Sequence, residues 1–178
     1  MAAVVFGIAA TGILRYLPEQ AEQPGATTRA ETRPGSGEKT DVYLYFATGD
    51  GATLAAEKRV VETSADPARL AGAIIDGLAR GPKRDDLVRT VPPETACRAL
   101  YVTADRTAYV DFTPAIREGH PGGAQAELLT IYAIVNSLAI NVDGIDRVKF
   151  LIDGREADTL AGHVDLGAAF APDLRIVR

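Results

Sequence analysis

The chain has little of what most enzyme chemistry requires. Its single cysteine, Cys97, rules out an internal disulfide and a metal knuckle built from thiolates. In the strand-like run ACRALYV it reads as a small buried hydrophobe. Tryptophan is absent, which removes the aromatic platform that a sugar cleft usually offers to a pair of catalytic carboxylates. Serine occurs only at Ser36, Ser64 and Ser137, none in a Gly-x-Ser-x-Gly elbow, so no hydrolase triad is visible. Histidine occurs only at His120 and His163, without a zinc-binding spacing, and both read as solvated loop residues. The net charge of −5 is spread without a block, so nucleic acid and anionic lipid find no electrostatic footprint.

Long apolar runs are also missing. Residues 2–14, AAVVFGIAATGIL, are uncharged and closed by Arg15. As a helix they would reach about 20 Å, against roughly 30 Å for a bilayer core. Three readings stay open: the truncated end of a signal anchor, the apolar part of a signal peptide without its basic region, or an ordinary buried segment. Residues 1–17 are accordingly expected to be a membrane anchor or signal segment. Residues 18–41 are rich in Pro, Gly, Thr and mixed charge, and bury too little to offset their ordering entropy, so they read as a disordered linker. Residues 42–178 are expected to form one domain, long enough to bury a real core.

Within that domain Val42, Leu44 and Phe46 alternate with Tyr43 and Tyr45, the period of a half-buried strand. A turn, ATGDGAT, leads to a second strand candidate, LAAEKRVVE. Asp66-Pro67 is a helix start, Leu70, Ile74 and Leu78 recur at spacings of four, and Gly81-Pro82 is a stop. The stretch KRDDLVRTVPPET has no period and is expected to be a loop. RALYVTA and TAYVDF form a hairpin. A three-residue turn at Asp105, Arg106 and Thr107 would keep their apolar faces together, setting Leu100 against Phe112 and Val102 against Val110. Leu128, Ile131, Val135 and Leu138 mark a second, central helix, broadened by Leu129, Tyr132 and Ile134. Val148, Phe150 and Ile152 mark another strand ending at Asp153-Gly154, and the terminal LRIV suggests an edge strand. This order predicts an α+β fold, a mixed sheet with two helices packed on one face.

The series VYLYF (42–46), LARGP (78–82), VPPET (91–95), AYVDF (108–112), ELLTIYAIVNSLA (127–139) and VKFLIDG (148–154) resembles the GerMN domain, named after spore-germination proteins. The resemblance spans Asp41 to about Leu166. It implies an architecture similar to the small ring-building α/β modules of secretion systems, and a non-catalytic domain on the extracytoplasmic side of the membrane. The implied partners are proteins of sporulation, germination or cell-wall assemblies, with the membrane reached through the N-terminal apolar segment. The rival reading is a module that binds peptidoglycan fragments or regulates a cell-wall hydrolase.

Three further groups of residues invite a site. Gly119 to Gly123 could present backbone N–H groups to an anion, but the Lys-Ser/Thr of a P-loop is missing, so they read as a flexible lead into the helix. Asp111, Glu127, Asp143, Asp146 and Asp153 lack the alternating ligands of a calcium loop and read as turn and cap residues. No cofactor, metal or catalytic residue is therefore expected. Tyr43, Tyr45, Tyr101 and Tyr109 all alternate away from the Val, Leu and Phe positions. They are expected to share the sheet face opposite the helices, where two readings stay open: a loop or the C-terminal segment covers them as a second layer, or they are exposed and form the interaction surface.

Overall fold

A computed structural model describes residues 39–62 and 66–178. The anchor or signal reading of residues 1–17 and the linker reading of 18–38 lie outside the described residues. The linker's last residues do not: β1 runs Lys39–Thr48, three residues further back than the apolar alternation shows. There Lys39, Thr40 and Asp41 already pair with Glu62, Val61 and Val60 of β2 (Leu54–Glu62).

The expected α+β class holds, with the strands divided between two sheets. β1 lies between β2 and the two-residue β3 (Leu87–Val88), which forms inside the segment expected to be a loop. The second sheet runs β4 (Cys97–Val102), β5 (Thr107–Phe112), β6 (Arg147–Ile152), β7 (Arg155–Glu156). Only β5 and β6 are parallel, and the crossover between them carries α2 (Ala115–Glu118) and α3 (Ala124–Asn141). Asp153 and Gly154, with φ of 53° and 74°, make the two-residue turn from β6 to β7, the left-handed pair that Asp-Gly favours.

The first helix, α1 (Pro67–Arg80), obeys its sequence signals. The Asp66 carboxylate accepts the Ala68 N–H at 3.0 Å. Ala71, Ile74, Ile75 and Leu78 are buried, and Gly81, at φ 85°, ends the helix by donating its N–H to the Leu78 carbonyl. With Leu44, Phe46, Phe112, Ile131, Leu138 and Phe150 these residues form one core shared by both sheets and both long helices.

The division into two sheets follows from what closes β1. Its first edge pairs with β2. Most of its second edge meets no strand, because α3 lies along it. The Asn141 side-chain amide grips Tyr43 on both sides, accepting its N–H and donating to its C=O, each at 2.8 Å. One turn earlier the Ser137 hydroxyl accepts the Tyr45 N–H at 3.0 Å. A helix thus does the work of a neighbouring strand with side chains. Such polar residues are tolerated inside an apolar helix because each is satisfied by backbone that would otherwise be buried unpaired.

Two local expectations need correction. The β4–β5 hairpin has its three-residue turn at Ala104, Asp105 and Arg106, with Thr103 N–H donating to Thr107 C=O at 3.0 Å and Arg106 at φ 63°. Leu100 therefore faces Val110 and Val102 faces Ala108, a shift of two residues from the expected pairs. The parity is kept, so the faces are right and the neighbours are not. The terminal LRIV forms a 3-10 turn, Leu174–Ile176, followed by a single bridge from Val177 to Leu54 instead of an edge strand.

Candidate interaction surface

The polar residues of α3 and their counterparts on β2 and β6 hold loops of the domain itself. Glu127 is fully buried. Its carboxylate accepts the backbone N–H groups of Leu160, Ala161 and His163 at 2.8 to 2.9 Å, with His163 Nδ1 at 3.3 Å. Burial pushes its pKa up, but these donors outweigh burial and hold the carboxyl below its usual range. Asn136 grips Asp173 as Asn141 grips Tyr43, donating to its C=O at 3.0 Å and accepting its N–H at 2.9 Å. Lys149, 6% exposed, donates to the Leu166 and Gly167 carbonyls at 3.0 and 2.7 Å. These three side chains fix the path of the chain from Leu160 to Asp173.

Glu57 does the same for the loop after α1. Its buried carboxylate accepts the N–H groups of Lys83 and Arg84, both at 2.9 Å, and pairs with Arg59. Again burial raises the pKa and the donors, with the Arg84 amide first, bring it below the ordinary value of 4.5. Both glutamates have folded-state values below their unfolded ones, so their stabilisation is complete above the unfolded value and is lost as pH falls through the folded value. Thermal melts from pH 7 to pH 3 are expected to hold steady to about pH 5 and then fall. A melting temperature still flat at pH 3 would contradict the role given to these carboxylates.

The other candidate residues are similarly engaged in structure. His120 is not a solvated loop residue: Nδ1 accepts the Gly122 N–H at 3.0 Å, which leaves the proton on Nε2 facing Thr130 Oγ1 at 3.1 Å. Desolvation lowers its pKa. Asp111 accepts the Gly154 N–H at 2.8 Å and lies with Asp153 beside Arg98, bracing two turns. Asp146 pairs with Arg106, so four of the five carboxylates considered for calcium, Asp111, Glu127, Asp146 and Asp153, are engaged in separate tasks. No group of three potential metal-ligating residues occurs among the described residues. Cys97 is part-buried against the core, and burial, followed by the nearby Asp111 and Asp76, raises its thiol to about 11. Of the glycine-rich lead, Pro121 borders a cleft of about 310 Å³ between the β1–β2 turn, Val88 to Thr90 and the first turns of α3.

The tyrosines do not share one face. Tyr45 is 7% exposed, packed with Ala47, Leu54, Leu129 and Ala133, and burial raises its pKa. It points away from the Leu44 side as the alternation predicts, but β1 is covered on both faces, by the main core on the Leu44 side and by α3 with the C-terminal residues Ile176 and Val177 on the Tyr45 side. Tyr43 is 45% exposed but belongs to the first sheet. Tyr101 and Tyr109 remain together: directly opposite in the β4–β5 register, 69% and 38% exposed, on the outer face of the second sheet.

Such a molecule is an α+β module whose buried ionisable groups hold its own backbone and whose aromatic face is open. Residues 43–158 match the family model described as Germane, sporulation and spore germination, and the chain belongs to that family as a GerMN-type domain. Among solved structures it is similar to the tandem GerMN domains of the sporulation protein GerM from Bacillus subtilis, at 18% identity and a TM-score of 0.59. That match covers 77% of this chain and 46% of the tandem structure, so the chain spans about half of its length. The first GerMN domain of GerM alone gives 17% identity and a TM-score of 0.55, covering 75% of this chain and 96% of that domain. A Clostridium perfringens protein assigned as a lipoprotein gives 21% identity and a TM-score of 0.53, with 75% and 87% covered. No curated protein matches the chain. Among the described residues no helix is long and apolar enough to cross a membrane.

Proposed function

We propose that this chain is a non-catalytic interaction domain on the extracytoplasmic side of the cytoplasmic membrane, working by protein contacts in sporulation, germination or cell-wall assemblies. The family supports the setting, and the likeness to a protein assigned as a lipoprotein supports the envelope. The apolar run of residues 2–14 is the element that would hold it at the membrane. The observation that carries the reading is the Tyr101–Tyr109 pair. Two large side chains with polar tips lie side by side on an open sheet face, the kind of residue enriched at the centres of protein interfaces.

Changing Tyr101 and Tyr109 together to serine is expected to weaken partner capture from cross-linked membranes at least about 30-fold, the effect of losing one interface hot spot. Because Tyr101 lies largely in solvent and Tyr109 is partly exposed, stability should fall by only about 1 kcal/mol. Unchanged capture would place the interface elsewhere, and binding of the purified domain to isolated cell wall without any protein would favour a peptidoglycan-binding module instead.

A further inference from the structure

Among the described residues some sheet edges are closed and others are left open, that of β4 among them. The second edge of β1 takes β3, Ser137 and Asn141. The edge of β2 begins under the C-terminal residues, where Arg178 N–H donates to Leu54 C=O at 3.0 Å, and Arg84 reaches the Ala56 carbonyl. β6 takes β7 and the Val148–Phe170 bridge. β4 ends its sheet with no such cover among the described residues.

Which of its backbone groups are open follows from the hairpin register. Thr103 bonds to Thr107, so alternation turns the backbone of Tyr101 toward Tyr109 and that of Leu100 and Val102 outward. Neither outward pair of groups is bonded to a described residue. The irregularity between Cys97 and Ala99 breaks the edge on one side and the turn at Ala104 ends it on the other. Between them lies Ala99-Leu-Tyr-Val-Thr103, without the proline or charged residue that usually blunts such an edge.

We infer that β4 pairs antiparallel with β4 of a second copy of this chain, about a two-fold axis at Tyr101. Self-pairing is favoured because the edge is complementary to itself. In an antiparallel register centred on Tyr101, Leu100 meets the second copy's Val102 and Val102 meets its Leu100, so every outward group finds a partner. Tyr101 meets its own counterpart at a non-hydrogen-bonded position, where side chains approach most closely and aromatic pairs are favourable. The paired span from Ala99 to Thr103 carries no charged residue, so no like charges are directly opposed. The result is one continuous sheet across both copies, with Tyr101 and Tyr109 of each on the same outer face. This inference does not rest on the proposed partner role of that face.

The test uses the full chain in mild detergent. Sedimentation is expected to give the mass of two copies, and Tyr101→Lys, which sets two ammonium groups against each other at the axis, to raise the dissociation constant at least about tenfold. In a Cys97→Ser background, Tyr101→Cys is expected to form a disulfide-linked dimer under mild oxidation, since the expected Cα separation of about 4.5 Å lies within disulfide reach. Tyr43→Cys, exposed on the other sheet, is expected not to. A single-copy mass at about 100 µM overturns the inference. So does a dimer that Tyr101→Lys leaves intact, or equal cross-linking through Tyr43→Cys.

Discussion

Replacing Glu127 by alanine is expected to remove about 4 kcal/mol of stability, measured by urea denaturation at neutral pH. The carboxylate accepts three backbone N–H groups from the segment after β7, and hydrogen bonds to a charged group are each worth about 1.5–3 kcal/mol, with incomplete additivity. Alanine leaves those donors without their acceptor. Glutamine keeps one acceptor oxygen but no charge, so about 2 kcal/mol is expected for Glu127→Gln. A loss below about 1 kcal/mol for the alanine variant would mean that the segment from Leu160 to His163 holds its own path.

Replacing Val135 by aspartate is expected to abolish cooperative unfolding altogether. Val135 is fully buried in the main core, on the helix that touches both sheets. An unpaired charge there costs several kcal/mol, comparable to the whole stability of a domain of this size. Val135→Ala serves as the control, with a loss of about 2 kcal/mol and a sharp transition retained. A sharp melt for Val135→Asp near that of the unmodified protein would contradict the packing of α3.

The elements were legible in the sequence wherever one signal acted alone. The Asp66-Pro67 start, the apolar spacing of α1 and the Gly81 stop give that helix to the residue, because caps and periodicity agree. Parity in the β4–β5 hairpin was legible too, since a one-residue slip would expose the core face, whereas a slip of two leaves the pattern unchanged and so escapes notice. For Tyr45 the alternation gave the face but not its burial, because it reports two faces and says nothing of a strand covered on both. Glu127, Asn136, Ser137 and Asn141 were invisible as a set. Each reads locally as a polar residue on a helix, and its purpose lies in backbone far away in the chain. The available clue was that such residues occur in a helix with apolar side chains on nearly every side. The common face of Tyr101 and Tyr109 was readable from pattern alone, but neither their exposure nor their separation from Tyr43.

The grip of Asn141 on Tyr43 also sets an order of events. The two residues are 98 positions apart, so the second edge of β1 cannot close until nearly the whole domain is available. A chain that emerges N-terminus first holds β1 as an open strand through the making of α1, β4 and β5, and seals it only when α3 arrives. Distant closures of this kind slow folding and prolong the exposure of unpaired backbone. The same delay couples completion of the first sheet to the arrival of α3.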